Sequence, residues 1–331
     1  MKTNNIFNIV SVLLGVTIAL ASCHREDIPY YEDQKGMGSP ISFSSIDASL
    51  ETKSDAGPNS FHVWASLTNG SQTLCDVFDA TGEDVTYNQT KNAWTYSPVR
   101  YWQDGTYNFI AVAQAPESVT GELKDTGLEL TFTNGWNLNN DKKDLLLAVA
   151  LNEPDRLNAS SVTPVSLVFG HQLSMINFSA KNTDEREASL VITSVEISGN
   201  HKTASGLKHS MLSTSSATWS YTGSTSEKQT LPLYGSESSV ALNKETHTPI
   251  TEDVIVFPEE KCELEVSLTF VETINNVNQT VTKSAKISPT YWSAGKKYEY
   301  SVNLTSDRLV FGEPNVTDWA DGGLVSDEFP F

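Results

Sequence analysis

Apolar residues recur at every second position along most of this chain, and no segment of ten or more residues carries an apolar stripe at helical spacing. Phe61, Val63, Ala65 and Leu67 alternate with other residues, as do Tyr107, Phe109, Ala111 and Ala113. The same period governs Leu128, Leu130 and Phe132; Val165, Leu167 and Phe169; Leu190 with Ile192; and Val195 with Ile197. It returns in Cys262, Leu264, Val266, Leu268 and Phe270, and in Tyr298, Tyr300, Val302 and Leu304. Alternation of this kind turns one face of an extended strand to a core and the other to water. Turn-forming pairs separate the runs: Asn69-Gly70, Asp104-Gly105, Asn134-Gly135 and Ser198-Gly199. The pattern predicts an all-β fold of short strands in packed sheets.

One sandwich holds roughly 100 residues, and about fifteen candidate strands exceed it. A chain of 331 residues therefore predicts two consecutive β-sandwich domains. The boundary falls near Pro164 to Gly170, after the polar stretch Asn152 to Ser161, which gives an N-terminal module over 40–165 and a C-terminal module over 166–331. Residues 199–250 are rich in Ser and Thr and predict long loops or an excursion on the second module. Hydrophobic residues make up 38% of the chain and aromatics 9%, enough for packed cores. The formal charge of -19 repels phosphate backbones and excludes nucleic acid as a natural partner.

The first residues carry a different signal. Lys2 precedes an apolar stretch from Ile6 to Leu20, interrupted by Asn8, Ser11, Gly15 and Thr17, and small residues follow. A charged start, a short apolar core and a small-residue cut site describe a secretory signal over 1–22. Leu20-Ala21-Ser22-Cys23 resembles the lipobox of bacterial lipoproteins, which implies a lipid on the Cys23 thiol and a stable membrane tether. Residues 23–39 are polar and charged and read as a flexible tether. Cys75 and Cys262 are then the remaining thiols, expected as small buried residues, with their pairing left open.

Motifs for chemistry are missing. The six histidines form no His-Glu-x-x-His pair, no Cys-x-x-Cys is present, and neither a Gly-x-Ser-x-Gly elbow nor a phosphate loop occurs. No catalytic residue, metal site or cofactor is expected, and the chain reads as a non-enzyme. His171, beside an apolar strand, reads as a hydrogen-bonded structural residue, and Asn139 to Asp144 as a turn. Trp94, Tyr96, Tyr101, Trp102 and Trp136 suit either a core and its rim or a platform that stacks on sugar rings.

Several segments together resemble the fimbrillin family of Bacteroidales, the lipoprotein-derived subunits of type V pili. They are the lipobox at Cys23, Ile41-Ser-Phe43 with Glu51-Thr52-Lys53, Arg100-Tyr101-Trp102 leading into Tyr107-Asn-Phe109, and Asp144 to Ala148. Val165 to Ile176, Tyr291 to Tyr298 and Val316-Thr317-Asp318-Trp319 complete the set. The resemblance implies two transthyretin-like Greek-key sandwiches, export to the outer membrane and the cell surface, and assembly with other pilus subunits. It also implies a mechanism in which a protease removes the tether with the first strand, and a neighbour's strand fills the groove. Carried onto this chain, the removable strand holds Ile41, Phe43 and Ile46, and the matching cleavage position is Lys53, where the family usually offers arginine. Either a lysine-tolerant protease acts there, or the subunit keeps its lipid and serves as an anchor or accessory component. The candidate donor is the tail 306–331, with Leu309, Phe311, Val316 and Trp319; the alternative is that this tail packs back on its own domain. Shaft, anchor and tip roles stay open, as does an adhesion ligand, a glycan or protein on a host or bacterial surface. The competing reading is a surface-anchored lipoprotein that binds glycans through its aromatics.

Overall fold

The computed structural model describes residues 38–47 and 59–319, apart from 75–76, 80, 117–118, 125–126, 139–142, 158–162, 200, 211–216 and 226–227. The described residues form strands, turns and one short 3-10 turn at Tyr234–Ser236, with no α-helix among them. The all-β expectation holds.

Four sheets organise the chain. The first runs, in hydrogen-bonded order, through Phe43–Asp47, Val165–His171, Leu146–Pro154, Thr106–Ala113, Ser60–Asn69, Glu83–Asn88 and Ala93–Thr95, with Gln72–Leu74 beside Ser60–Asn69. The second joins Ser174–Asn182 in parallel to Lys296–Leu304 and carries Leu309–Phe311 and Asn315–Asp318 on the far side of the latter. The third is built on Ser189–Ser198, Glu259–Ile274 and Val277–Trp292. The fourth combines Val119–Lys124 and Gly127–Trp136 with the hairpin His201–Ser210 and Thr218–Thr225.

Burial follows the alternation. The second and third sheets enclose one core, with Ile176, Phe178, Ile192, Val266, Phe270, Tyr300 and Val302 fully shielded. A second core lies on one face of the first sheet and gathers Phe61, Val63, Tyr107, Phe109, Leu167 and Phe169. A third core covers the other face of that sheet. There Trp64, Ile110 and Leu147 meet Leu128, Phe132 and Trp136 of the fourth sheet, and Leu173, Met175 and Phe257 from the second half of the chain.

Two expectations change. Val165–His171, expected to open the second module, lies inside the first sheet, bonded to Leu146–Pro154 on one side and to the first strand on the other. Parallel pairing with a strand about 120 residues earlier leaves no local mark in a sequence, because parallel neighbours need a long crossover. Residues 199–250, expected as long loops or an excursion on the second module, contain the hairpin 201–225, an excursion that pairs with Gly127–Trp136 of the first half. Its pairing slips twice near Ala204, so its apolar residues do not alternate regularly.

Candidate functional site

The first strand is held like an inserted strip. Phe43–Asp47 runs parallel to Val165–Phe169 at the end of the sheet, residue for residue. Just upstream the backbone is gripped from both sides. Ile41 N–H donates to Arg100 O at 2.9 Å and Trp102 N–H donates to Ser39 O at 3.1 Å, while Val165 N–H donates to Ser42 O at 2.8 Å. The Tyr96 hydroxyl donates to Ile41 O at 2.8 Å. Burial pushes that hydroxyl well above the usual phenol range, so it stays a donor at any physiological pH.

Side chains complete the hold. Ile41 and Phe43 are buried, Phe43 at 4% exposure. The Phe43 ring sits among four others: Phe61 at 5.7 Å, Phe109 at 5.9 Å, Tyr96 at 5.9 Å and Phe78 at 6.0 Å between centroids. Two of these are edge-to-face, the arrangement aromatic quadrupoles favour. Ile46 pairs with Val168 along the same strand. Cys23, Lys53 and Cys75 lie outside the described residues. Cys262 stands on the strand Glu259–Ile274.

The tail begins from a fixed turn. Asp184, buried, accepts from Ser306 N at 2.9 Å and Ser306 Oγ at 2.7 Å, and Arg186 forks onto both its oxygens. The same guanidinium reaches Glu272 at 2.9 Å. The Arg186 guanidinium, foremost among these contacts, holds the Asp184 carboxyl far below the usual carboxylate range. Beyond this turn Leu309 is buried and Phe311 partly so, packed against Phe178. Asn315–Asp318 then returns along Lys296–Glu299 with all four side chains exposed, Val316 among them.

Trp319 ends the described chain and is buried, at 5% exposure. Its N–H donates to Gly295 O at 2.9 Å, and its ring lies flat on His171, 4.3 Å between centroids and 3° between planes. His171 in turn is hydrogen-bonded through Nδ1 to buried Asp144. Sequence reasoning singled out Trp319 and His171 separately, but nothing in their spacing joins them or brings in Asp144.

Of the five aromatics weighed as a sugar platform, Trp94, Tyr96 and Tyr101 are partly buried and Trp102 and Trp136 are buried. Trp102 and Trp136 are both 2% exposed and belong to different cores. Trp94 and Tyr96 are partly buried against the core that holds Phe43. Among the described residues, no group of three or more His, Cys, Asp and Glu gathers to hold a metal, and no helix is long and apolar enough to cross a membrane.

The model of the fimbrillin-like family matches residues 49–319. The chain belongs to the fimbrillin-like family. This is a family of fimbrial structural subunits, not of enzymes. A fimbrial protein from Bacteroides vulgatus shares the fold at 16% identity, with 85% of this chain and 99% of that one covered and a TM-score of 0.61. The fimbrial anchor protein Mfa2 from Porphyromonas gingivalis aligns over 85% of this chain and 97% of its own at 11% identity, TM-score 0.38. A fimbrilin from the same organism has the same coverage and identity and a TM-score of 0.42. No curated protein matches the sequence.

Proposed function

We propose that this fimbrillin-like chain is a subunit of a type V pilus that assembles by strand exchange. In this reading it is exported as an outer-membrane lipoprotein acylated on Cys23, and cleavage after Lys53 frees the segment that ends in the first strand. The mature body is two consecutive Greek-key sandwiches, the first closing with Val165–His171 and the second opening at Ser174.

One observation carries the reading. The first strand is the last in its sheet and pairs in parallel with a single neighbour over Phe43–Asp47, yet Phe43 and the preceding Ile41 are buried in the core. Its release breaks the pairing with Val165–Phe169 and the short bridge of Ser39–Ile41 to Arg100–Trp102, and leaves every other pairing in the sheet intact. Its departure uncovers a row of backbone groups and an apolar slot, a combination that invites another strand. Burying two side chains of this size contributes at most about 3–6 kcal/mol, before backbone bonds are counted. The occupant in the assembled pilus is the tail 306–331 of a neighbour, whose Leu309, Phe311, Val316 and Trp319 would leave the positions described above.

The test is assembly itself. Protein cut after Lys53 and stripped of its first segment should form oligomers that persist on dilution, and removing residues 309–331 should abolish them. Strictly monomeric cut protein at high concentration would contradict the proposal.

A further inference from the structure

We infer that Lys297 and Asn177 join through an amide bond between their side chains, with Asp253 as the acid–base group, so that the second half of the chain closes covalently on itself. The bond needs no partner chain; only its use under tension depends on the pilus reading.

Three strands meet at this point. Ser174–Asn182 is central, with Val254–Val256 antiparallel on one side and Lys296–Leu304 parallel on the other. Ile176 pairs with Val254, which brings Asp253 next to Asn177. Met175 pairs with Lys297 and Asn177 with Glu299, so Lys297 stands diagonally across from Asn177 on the same face. Met175, on that face, belongs to the third core, while Ile176 and Phe178 point into the opposite one. The three groups therefore sit at the margin of a core, with the side chain of Asp253 11% exposed and that of Lys297 24%.

Asp253 holds both reacting nitrogens. Lys297 Nζ donates to its Oδ2 at 2.9 Å, and Asn177 Nδ2 donates to its Oδ1 at 2.7 Å. An ionised carboxylate only accepts, so Asn177 must turn its amide nitrogen, the leaving group, toward Asp253. Nucleophile and leaving group thus share one carboxylate, whereas a plain ion pair needs only two of these three groups. A second carboxylate, Glu299, stands 3.8 Å from Nζ; it is 42% exposed and accepts from Asn315 at 2.9 Å.

The chemistry balances within the chain. Asp253 takes a proton from the Lys297 ammonium, and the freed amine adds to Cγ of Asn177. Asp253 then passes its proton to Nδ2. The Cγ–Nδ2 bond breaks, ammonia leaves as ammonium with a second proton from Nζ, and Asp253 is a carboxylate again. One amide replaces another, nothing is oxidised or reduced, and no co-reactant is required. Fixed positions in place of a chance encounter make this attack feasible on an amide.

The product ties Ser174–Asn182 to Lys296–Leu304, the strand that precedes the tail. In a pilus pulled lengthwise, load entering at Ser174 and leaving past Leu304 shears the parallel ladder between them. The bond carries that load and shields the third sheet, whose strands all lie between its two ends in sequence.

The test is the intact mass of the whole purified chain after denaturation, with tandem mass spectrometry of its peptides. The chain should be lighter than its sequence by one ammonia, and a branched peptide should join Asn177 to Lys297. Lys297→Arg keeps a cation beside Asp253 but removes the amine, so it should fold and show its full mass, as should Asp253→Asn. Pulled by its two ends, the unsubstituted chain should extend less than Lys297→Arg by the length of residues 178–296. Full mass in the unsubstituted chain, with residues 177 and 297 in separate peptides, would overturn the bond and leave the assembly reading untouched. Loss of ammonia that persists in Lys297→Arg, or equal extension of the two chains, would overturn it as well.

Discussion

Trp319→Ala separates local from global stability in this fold. Trp319 is the one buried side chain in the segment 315–319 and lies flat on His171. Truncating a buried tryptophan typically costs about 3–5 kcal/mol when the whole fold must absorb the loss. Here the segment can detach instead. Apart from the plug, Asn315–Asp318 is held by its ladder with Lys296–Glu299, by the exposed Lys296–Asp318 pair, and by Asn315 donating to Glu299 at 2.9 Å. An exposed pair contributes about 0–1 kcal/mol and a neutral-to-charged hydrogen bond about 1.5–3 at most. Loss of the plug should therefore shift local opening by about 3 kcal/mol, close to two decades. Hydrogen exchange should show amides 315–318 opening on the order of 100-fold faster, while those of Ser174–Asn182 keep their protection. Unchanged exchange at 315–318, or an equal loss of protection in Ser174–Asn182, would refute the reasoning.

Three further outcomes follow from the same contacts. Phe43→Ala in the full chain should lower unfolding free energy by about 3–5 kcal/mol in a denaturant titration, since four rings lose their common neighbour. Gly121→Ala should lower the melting temperature, because a Cβ there would stand 2.2 Å from Cζ2 of Trp64 and overpacking costs about 1–3 kcal/mol. Asp184 has a folded pKa held below its unfolded value, so its contribution is complete above about pH 4 and drains as pH falls further. Asp184→Asn should therefore have lower stability at neutral pH and a flatter decline below pH 4, read from urea midpoints across pH; an unchanged slope would exclude this role.

The period-two alternation sufficed to read the fold class and most long strands, because a half-buried strand writes its two faces directly into the sequence. Val165 to Phe169, Glu259–Ile274 and Lys296–Leu304 were legible for that reason. The hairpin 201–225 was not, because its register slips at Ala204 and Gly206 and few of its residues are large and apolar. The sheet membership of Val165–His171 depends on a partner far away in the chain, which alternation cannot specify. Trp102 and Trp136 show the same gap at the level of side chains. Their spacing suits core and surface alike, and only packing places both inside. For the site, Ile41 and Phe43 were legible as a same-face pair, while the grip of Tyr96 and Arg100 and the stack of Trp319 on His171 arise only once the sheets assemble.

The most direct measurement is the first residue of the protein recovered from the cell surface. A subunit that has surrendered its first strand begins at Ser54, the outcome this account requires. A chain that still begins at acylated Cys23, with its first strand in place, would contradict it.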